Sequence, residues 1–325
     1  MKRRTVLGGL LGAAIVRAAS GNLLGAAQIK PGDIPRRAFG KTGEKLTVIG
    51  LASGRFQFTG SEEAAIALTR RAYELGINYF DTAQAYWSGR SEQIYGRAMK
   101  DFRKKIFLTT KSSKRSRREA AAELDASLKA LQTDYLDLWQ VHQVGTMEEV
   151  EQIFAPGGAL EAFVAAKQAG KCRFIGFTGH RDPDVHLELL KRYEKWDTIL
   201  MPLHIADPLY LSFEKQVLPV AVARGMGIQG MKNFGNSGLL KEFSVRECLS
   251  YVLSLPIHCT ALGCTAIAQL EEDVRVAQSF QPITAEQKTA LYQRAERLKG
   301  PKLESWKKNT ESRVSLHARP KYEGG

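Results

Sequence analysis

The chain has 325 residues, 44% of them hydrophobic and 25% charged, a composition that suits one α/β core of barrel size and argues against disorder. The net charge is +13, with four basic residues and no acids in the first 27. The other basic residues are scattered or cluster at Lys111–Arg118 and Lys299–Lys321 without interleaved aromatics, so solvated faces and no nucleic-acid partner are expected.

Residues 1–27 read as a leader. Lys2-Arg3-Arg4-Thr5 precedes the apolar run Val6 to Val16 and small residues through Ala27. The plainer readings are an ordinary secretory signal or a retained single anchor; the paired arginines resemble a twin-arginine signal, which implies the twin-arginine export machinery as a partner and a periplasmic or exported mature protein. The run stops at Arg17, short of the roughly 20 residues a span needs, so no stable membrane span is expected after cleavage.

From residue 28 to 300 one unit is expected. Pro35–Phe39 and Leu46–Ile49 flank Gly40-Lys41-Thr42-Gly43 and predict a hairpin. The chain then repeats a short apolar run followed by a helical run. The predicted strands are Leu46–Ala52, Tyr79–Asp81, Ile106–Lys111, Tyr135–His142, Cys172–Phe177, Thr198–Leu203, Gly227–Met231 and Cys259–Gly263. Helices are predicted from Ser61, at Ser91–Met99, Arg117–Leu131, Leu160–Ala169, Val185–Tyr193, Phe213–Arg224, Ser244–Leu255 and Ile267–Ser279, with a last one at Thr284–Lys299. Eight β-then-α units demand a parallel sheet, and over roughly 250 residues they fit a closed (β/α)8 TIM barrel. No Gly-x-Gly-x-x-Gly follows the first strand, which argues against an open dinucleotide-binding sheet. Residues 301–325 form a polar C-terminal tail. Cys172, Cys248, Cys259 and Cys264 lack CxxC spacing, so no metal site is expected.

Asp81, Lys111 and His142 each close an apolar run, and Tyr86 lies in the loop after Asp81. If those runs are neighbouring parallel strands, all four side chains gather at the barrel end where active sites are built. Alone, each has a plainer role: a packed tyrosine, a helix-capping aspartate, a lysine opening a basic run, a strand-end histidine. Together they suit carbonyl reduction. A free phenol, with pKa near ~10, is a weak acid at neutral pH, and a buried ammonium beside it favours the phenolate. A carboxylate holds that ammonium, and a neutral imidazole can donate to the substrate oxygen. Nothing in the set carries a hydride, so a nicotinamide must supply it.

Tyr79-Phe80-Asp81-Thr82-Ala83-Gln84-Ala85-Tyr86, Ser91-Glu92 through Tyr95-Gly96-Arg97-Ala98, the Lys111 strand end, Asp137–His142, Gly170–Gly176 and Gln269-Leu270-Glu271-Glu272-Asp273 together resemble the aldo-keto reductases. The leader and a Phe-Thr-Gly-His variant resemble an exported bacterial subgroup. The resemblance implies a tetrad with Tyr86 as proton donor, Lys111 and Asp81 as its support, and His142 orienting a small-molecule carbonyl substrate. It implies NADP(H), with NAD(H) as the alternative, lined by Ser53-Gly54-Arg55, Thr178-Gly179, Met231-Lys232-Asn233, Gly263-Cys264-Thr265, Gln269 and Asp273. This chain has Thr178-Gly179-His180 where most relatives carry Ser-Asn, Met201 in place of a Gln, and Met231 in place of a stacking aromatic. No Arg stands near Thr265 for a 2′-phosphate. The substrate pocket is expected near Phe56, Trp87, His180, His204 to Tyr210 and the tail. Two other readings stay open: the same tetrad oxidising an alcohol or sugar, and a nicotinamide-binding sensor barrel with little turnover.

Overall fold

The computed structural model describes residues 29–308. The leader, with its export expectation, and the tail beyond Lys308 lie outside them. Ten strands run in chain order: β1 (Arg36–Ala38), β2 (Lys45–Thr47), β3 (Ile49–Ala52), β4 (Tyr79–Asp81), β5 (Phe107–Ser112), β6 (Leu136–Val141), β7 (Cys172–Thr178), β8 (Thr198–Pro202), β9 (Gly227–Met231) and β10 (Cys259–Leu262). Strands β3 to β10 pair in parallel, and β10 closes on β3 to give the eight-stranded barrel expected from the repeat. Both faces of β5 and β6 are buried, as a sheet wrapped by helices requires. Among the described residues no helix is long and apolar enough to cross a membrane.

The apolar run read as one strand, Leu46–Ala52, divides at Val48. Its first part pairs antiparallel with β1, Arg36 opposite Thr47, and its second joins the barrel. Val48 sits between them, its N–H donating to Pro35 O (2.9 Å) and its carbonyl accepting from Thr260 N–H (3.0 Å). The hairpin plugs the barrel's N-terminal end. Phe39 meets Phe107 edge-on at 5.5 Å and clusters with Leu46, Tyr79, Leu138 and Cys259. Asp137 of β6 ties this end together, accepting from Arg103 Nη1, Leu108 N–H and Arg173 Nη1, each at 2.9 Å. With the bottom filled, the open end is the one carrying the β-to-α loops.

Helix starts follow the sequence. Ser61 accepts from Ala64 N–H as the N-cap expected there, and Ser116, Asp182, Ser244 and Thr284 cap in the same way. Such caps are worth about 1 kcal/mol each. A helix the sequence reading omitted, Met147–Phe154, is capped by Thr146. Of the polar tail, the described part, Pro301–Lys308, folds onto the barrel mouth, burying Glu304 and Lys307.

One core feature carries a pH signature. Glu92, on the helix Arg90–Ala98, is 1% exposed and accepts from Thr110 Oγ1 of β5 at 2.6 Å. Burial pushes its carboxyl from 4.5 up to about 7. Because the folded value lies above the unfolded one, its contribution is fully present below pH 4.5 and is lost as pH rises through about 7. Glu92→Gln keeps an acceptor without the charge. Its stability relative to the parent should grow by up to about 3 kcal/mol between the acidic and alkaline sides of that window. Denaturant unfolding at both pH values checks this; a pH-independent difference would contradict it.

Candidate active site

The four expected residues meet at the open end of the barrel. Asp81 is the last residue of β4, Lys111 lies near the end of β5, and His142 directly follows β6, so three adjacent strands deliver three side chains to one end of the barrel. Register steps by two residues from strand to strand: Asp81 pairs with Thr109, two before Lys111, and Lys111 with Gln140, two before His142. Tyr86 comes from the loop after β4. Trp87, Ser88 and Gly89 there all take positive φ (48°, 53° and 85°). Left-handed backbone costs about 1–2 kcal/mol at each non-glycine residue, so the packing around this turn must hold it. The turn brings the Tyr86 ring over the site, edge-on to His142 at 5.5 Å between centroids.

Lys111 is the hub. Its Nζ donates to Asp81 Oδ1 at 2.5 Å and to the Thr82 carbonyl at 2.7 Å, and lies 3.5 Å from the Tyr86 oxygen. Burial alone would discharge the ammonium, but Asp81 and Tyr86 reverse this and raise its pKa, so it stays charged. Tyr79 donates to the other Asp81 oxygen at 3.3 Å, which orients the carboxylate. His142 is 1% exposed. Burial, with Lys111, His180 and Arg115 nearby, holds it well below the usual 6.5, so the imidazole is neutral at physiological pH. Its backbone is fixed by Arg115, which donates to His142 O at 2.8 Å and pairs with Glu149.

Sequence reasoning missed Tyr79, Thr82 and Arg115. Thr82 acts through its carbonyl, which side-chain identity does not reveal. Arg115 lies in a run read as a solvated basic face, yet its side chain is 12% exposed and turned inward. Two residues expected around the pocket are core instead: Phe56 is fully buried against Tyr95, and His204 is fully buried beside Glu304. Trp87 is half-buried under Arg90.

The residues expected to line a dinucleotide fall at the ends of four strands, β3, β7, β9 and β10, with Gln269 and Asp273 on the helix Ile267–Gln278. Ser53 is buried and its hydroxyl donates to Thr82 Oγ1 at 2.7 Å. Gly54 faces the Tyr86 ring, where an added Cβ would lie 3.4 Å away, and the Arg55 side chain folds across Gly263. Thr178, at the end of β7, has a buried Oγ1 without a hydrogen-bond partner. Gly179 is a packing requirement, since a Cβ there would lie 2.2 Å from Val144 O. Met231 is buried, and Asn233 donates to Leu203 O at 2.9 Å, bracing the β9 loop. Lys232 has φ 60°, and burial with Arg55 nearby brings its ammonium down to about 8. Thr265 N–H donates to Gln269 Oε1 at 2.8 Å. Asp273 contacts Cys264 Sγ at 3.4 Å, and burial pushes its carboxyl up to about 7. An unsatisfied hydroxyl beside the tetrad and two cations at the mouth fit a nicotinamide amide and its phosphates.

A closed parallel barrel whose open end gathers a tyrosine, a buried lysine–aspartate pair and a neutral imidazole points to a class, the carbonyl-acting barrel oxidoreductases. The chain belongs to the Aldo/keto reductase family, which matches residues 50–249. It is 29% identical over 302 residues to the uncharacterized oxidoreductase YqkF of Bacillus subtilis, covering 79% of this chain and 95% of that one. It is 27% identical over 304 residues to L-galactose dehydrogenase of Arabidopsis thaliana, covering 79% and 92%. Among solved structures it resembles the holo form of aldo-keto reductase AKR11C1 from Bacillus halodurans, with TM-score 0.69, 26% identity and coverage of 80% and 96%.

Proposed function

We propose that this chain reduces an aldehyde or ketone with NAD(P)H, Tyr86 giving the proton. The observation that carries the reading is the Lys111 ammonium, bound to Asp81 and 3.5 Å from the Tyr86 oxygen. A reduced nicotinamide, when bound, supplies the hydride for the carbonyl carbon. The protein's own groups handle the charge that results. The neutral His142 imidazole can donate a hydrogen bond to the substrate oxygen and fix the carbonyl's direction. Tyr86 transfers its proton to that oxygen as negative charge builds there, and Lys111 stabilises the phenolate left behind. Run in reverse, the same groups would take a proton from an alcohol; the similarity to L-galactose dehydrogenase gives that second reading its support. Tyr86→Phe keeps the ring and removes the proton. Carbonyl reduction should fall by about two to four orders of magnitude with an unchanged thermal midpoint. Near-native turnover in steady-state assays would refute the assignment.

For the cofactor, NADP(H) is the preferred partner and NAD(H) an accepted one. Thr178 Oγ1 would meet the nicotinamide amide, and Lys232 and Arg55 would face the phosphates. Neither cation replaces the bidentate contact an arginine near Thr265 would make, so discrimination should be modest. NADPH should bind more tightly than NADH by less than about a thousandfold, roughly 4 kcal/mol, and Lys232→Ala should narrow the gap. Paired dissociation constants decide; a larger gap untouched by the substitution would place the 2′-phosphate elsewhere.

A further inference from the structure

The segment Pro301–Lys308 is rich in charge, yet two of its charged side chains are buried at the barrel mouth. Lys307 Nζ donates to Asp207 Oδ1 at 2.8 Å and to Tyr210 O at 2.6 Å, and pairs with Glu304 Oε1 at 2.5 Å. Glu304 Oε1 also lies 3.0 Å from His204 Nε2, and the side chains of His204, Asp207, Glu304 and Lys307 are fully shielded from solvent. Asp207 in turn accepts from Ser212 Oγ at 3.0 Å and Glu214 N–H at 2.8 Å, so the cluster is anchored to the helix that starts at Phe213. His204, Asp207 and Glu304 converge as metal ligands would. The Lys307 ammonium already stands among the two carboxylates, so the cluster carries its own cation; the Glu304 carboxylate oxygens and His204 ring nitrogens make no hydrogen bond, and the ion pairs tie the segment to the loop after β8.

What it fastens is the far side of the mouth. Lys308 N–H donates to Arg181 O at 2.8 Å, in the loop after β7, and Tyr210 OH donates to Lys308 O at 2.8 Å, in the loop after β8. In the loop after β9, the Trp306 ring lies 5.4 Å from Lys232 Nζ, with its other contact to His204 at 5.8 Å. Leu303 fills the space over Gly235 and Gly238, where an added Cβ would come within 3.2 Å and 2.7 Å of it. Three successive loops are thus clipped by one short segment, and the β9 loop, with Lys232, is touched by two of its apolar side chains.

We propose that Leu303–Lys308 is a latch, locked by the buried His204–Glu304–Lys307–Asp207 cluster, that holds the β9 loop and Lys232 against the phosphates of a bound nicotinamide dinucleotide and limits its release. This rests on the cofactor reading above. Trp306 and Lys307 are positioning residues: neither needs to touch the reacting atoms. Binding and latching are reciprocal, because whatever the latch adds to cofactor affinity the cofactor must add to latch closure.

The test uses the full chain with NADPH as probe, and NADH in parallel. Release is followed by the change in nicotinamide fluorescence after mixing with excess unlabelled competitor. Trp306→Ala and Lys307→Met should each speed release at least tenfold. Trp306→Ala leaves the buried charges intact, so it reads the latch even if Lys307→Met destabilises the fold. In the unaltered protein, NADPH should slow hydrogen exchange at the Lys307 and Lys308 amides, which bond to Glu304 O and Arg181 O. Tight binding with unchanged release in both variants, or exchange at those amides that ignores NADPH, overturns the latch alone. Failure of the unaltered protein to bind either dinucleotide overturns the latch and the cofactor reading together.

Discussion

The site depends on one buried ion pair. Lys111 and Asp81 sit inside a barrel, with side chains 1% and 2% exposed, joined at 2.5 Å. Taking two charges out of water costs several kcal/mol per ion, which only close geometry and further hydrogen bonds can offset. Both conditions are met: Thr82 O takes a second Lys111 proton, and Tyr79 serves the second Asp81 oxygen. Buried ion pairs replaced by well-packed apolar residues often leave a fold as stable or more so. The placement of this pair next to Tyr86 is therefore best understood through chemistry.

The rest of the molecule can be read as the means of holding that pair in place. Parallel register sets Asp81 opposite Thr109, two residues before Lys111 on the neighbouring strand, so both side chains reach the same mouth. The hairpin fills the opposite end with Phe39 and Leu46, which leaves one mouth. The turn through Trp87 and Ser88 accepts left-handed backbone to bring Tyr86 back over the ammonium. Around the mouth, burial and the Lys111 ammonium keep His142 neutral, while Asp81 and Tyr86 keep that ammonium charged.

Much of this was legible in the sequence because it is written locally. Eight alternating units gave the barrel, and strand ends gave Asp81, Lys111 and His142. Where partners are distant, local reading failed for a physical reason. Leu46–Ala52 is continuous in hydrophobicity, so nothing in it marks the change of hydrogen-bonding partner at Val48 from β1 to β10. Glu304 and Lys307 look like solvated tail residues, and their burial depends on His204 and Asp207 about a hundred positions earlier. Phe56 looks like a pocket wall because it follows a strand end, but Tyr95 from another helix claims its ring. The Thr146 cap and Glu149 were available to signal the helix Met147–Phe154, which is short enough to pass for a loop.

Asp81, Lys111 and Tyr86 should work as one unit built on the ion pair. A double-mutant cycle measures this directly: kcat/KM for carbonyl reduction in the parent, Asp81→Asn, Lys111→Met and the two together. If Asp81 acts only through Lys111, the double variant should be scarcely slower than Lys111→Met alone. Losses that multiply, leaving the double variant slower by the product of the two single effects, would show that the residues act independently and that the pair is not the core of the mechanism.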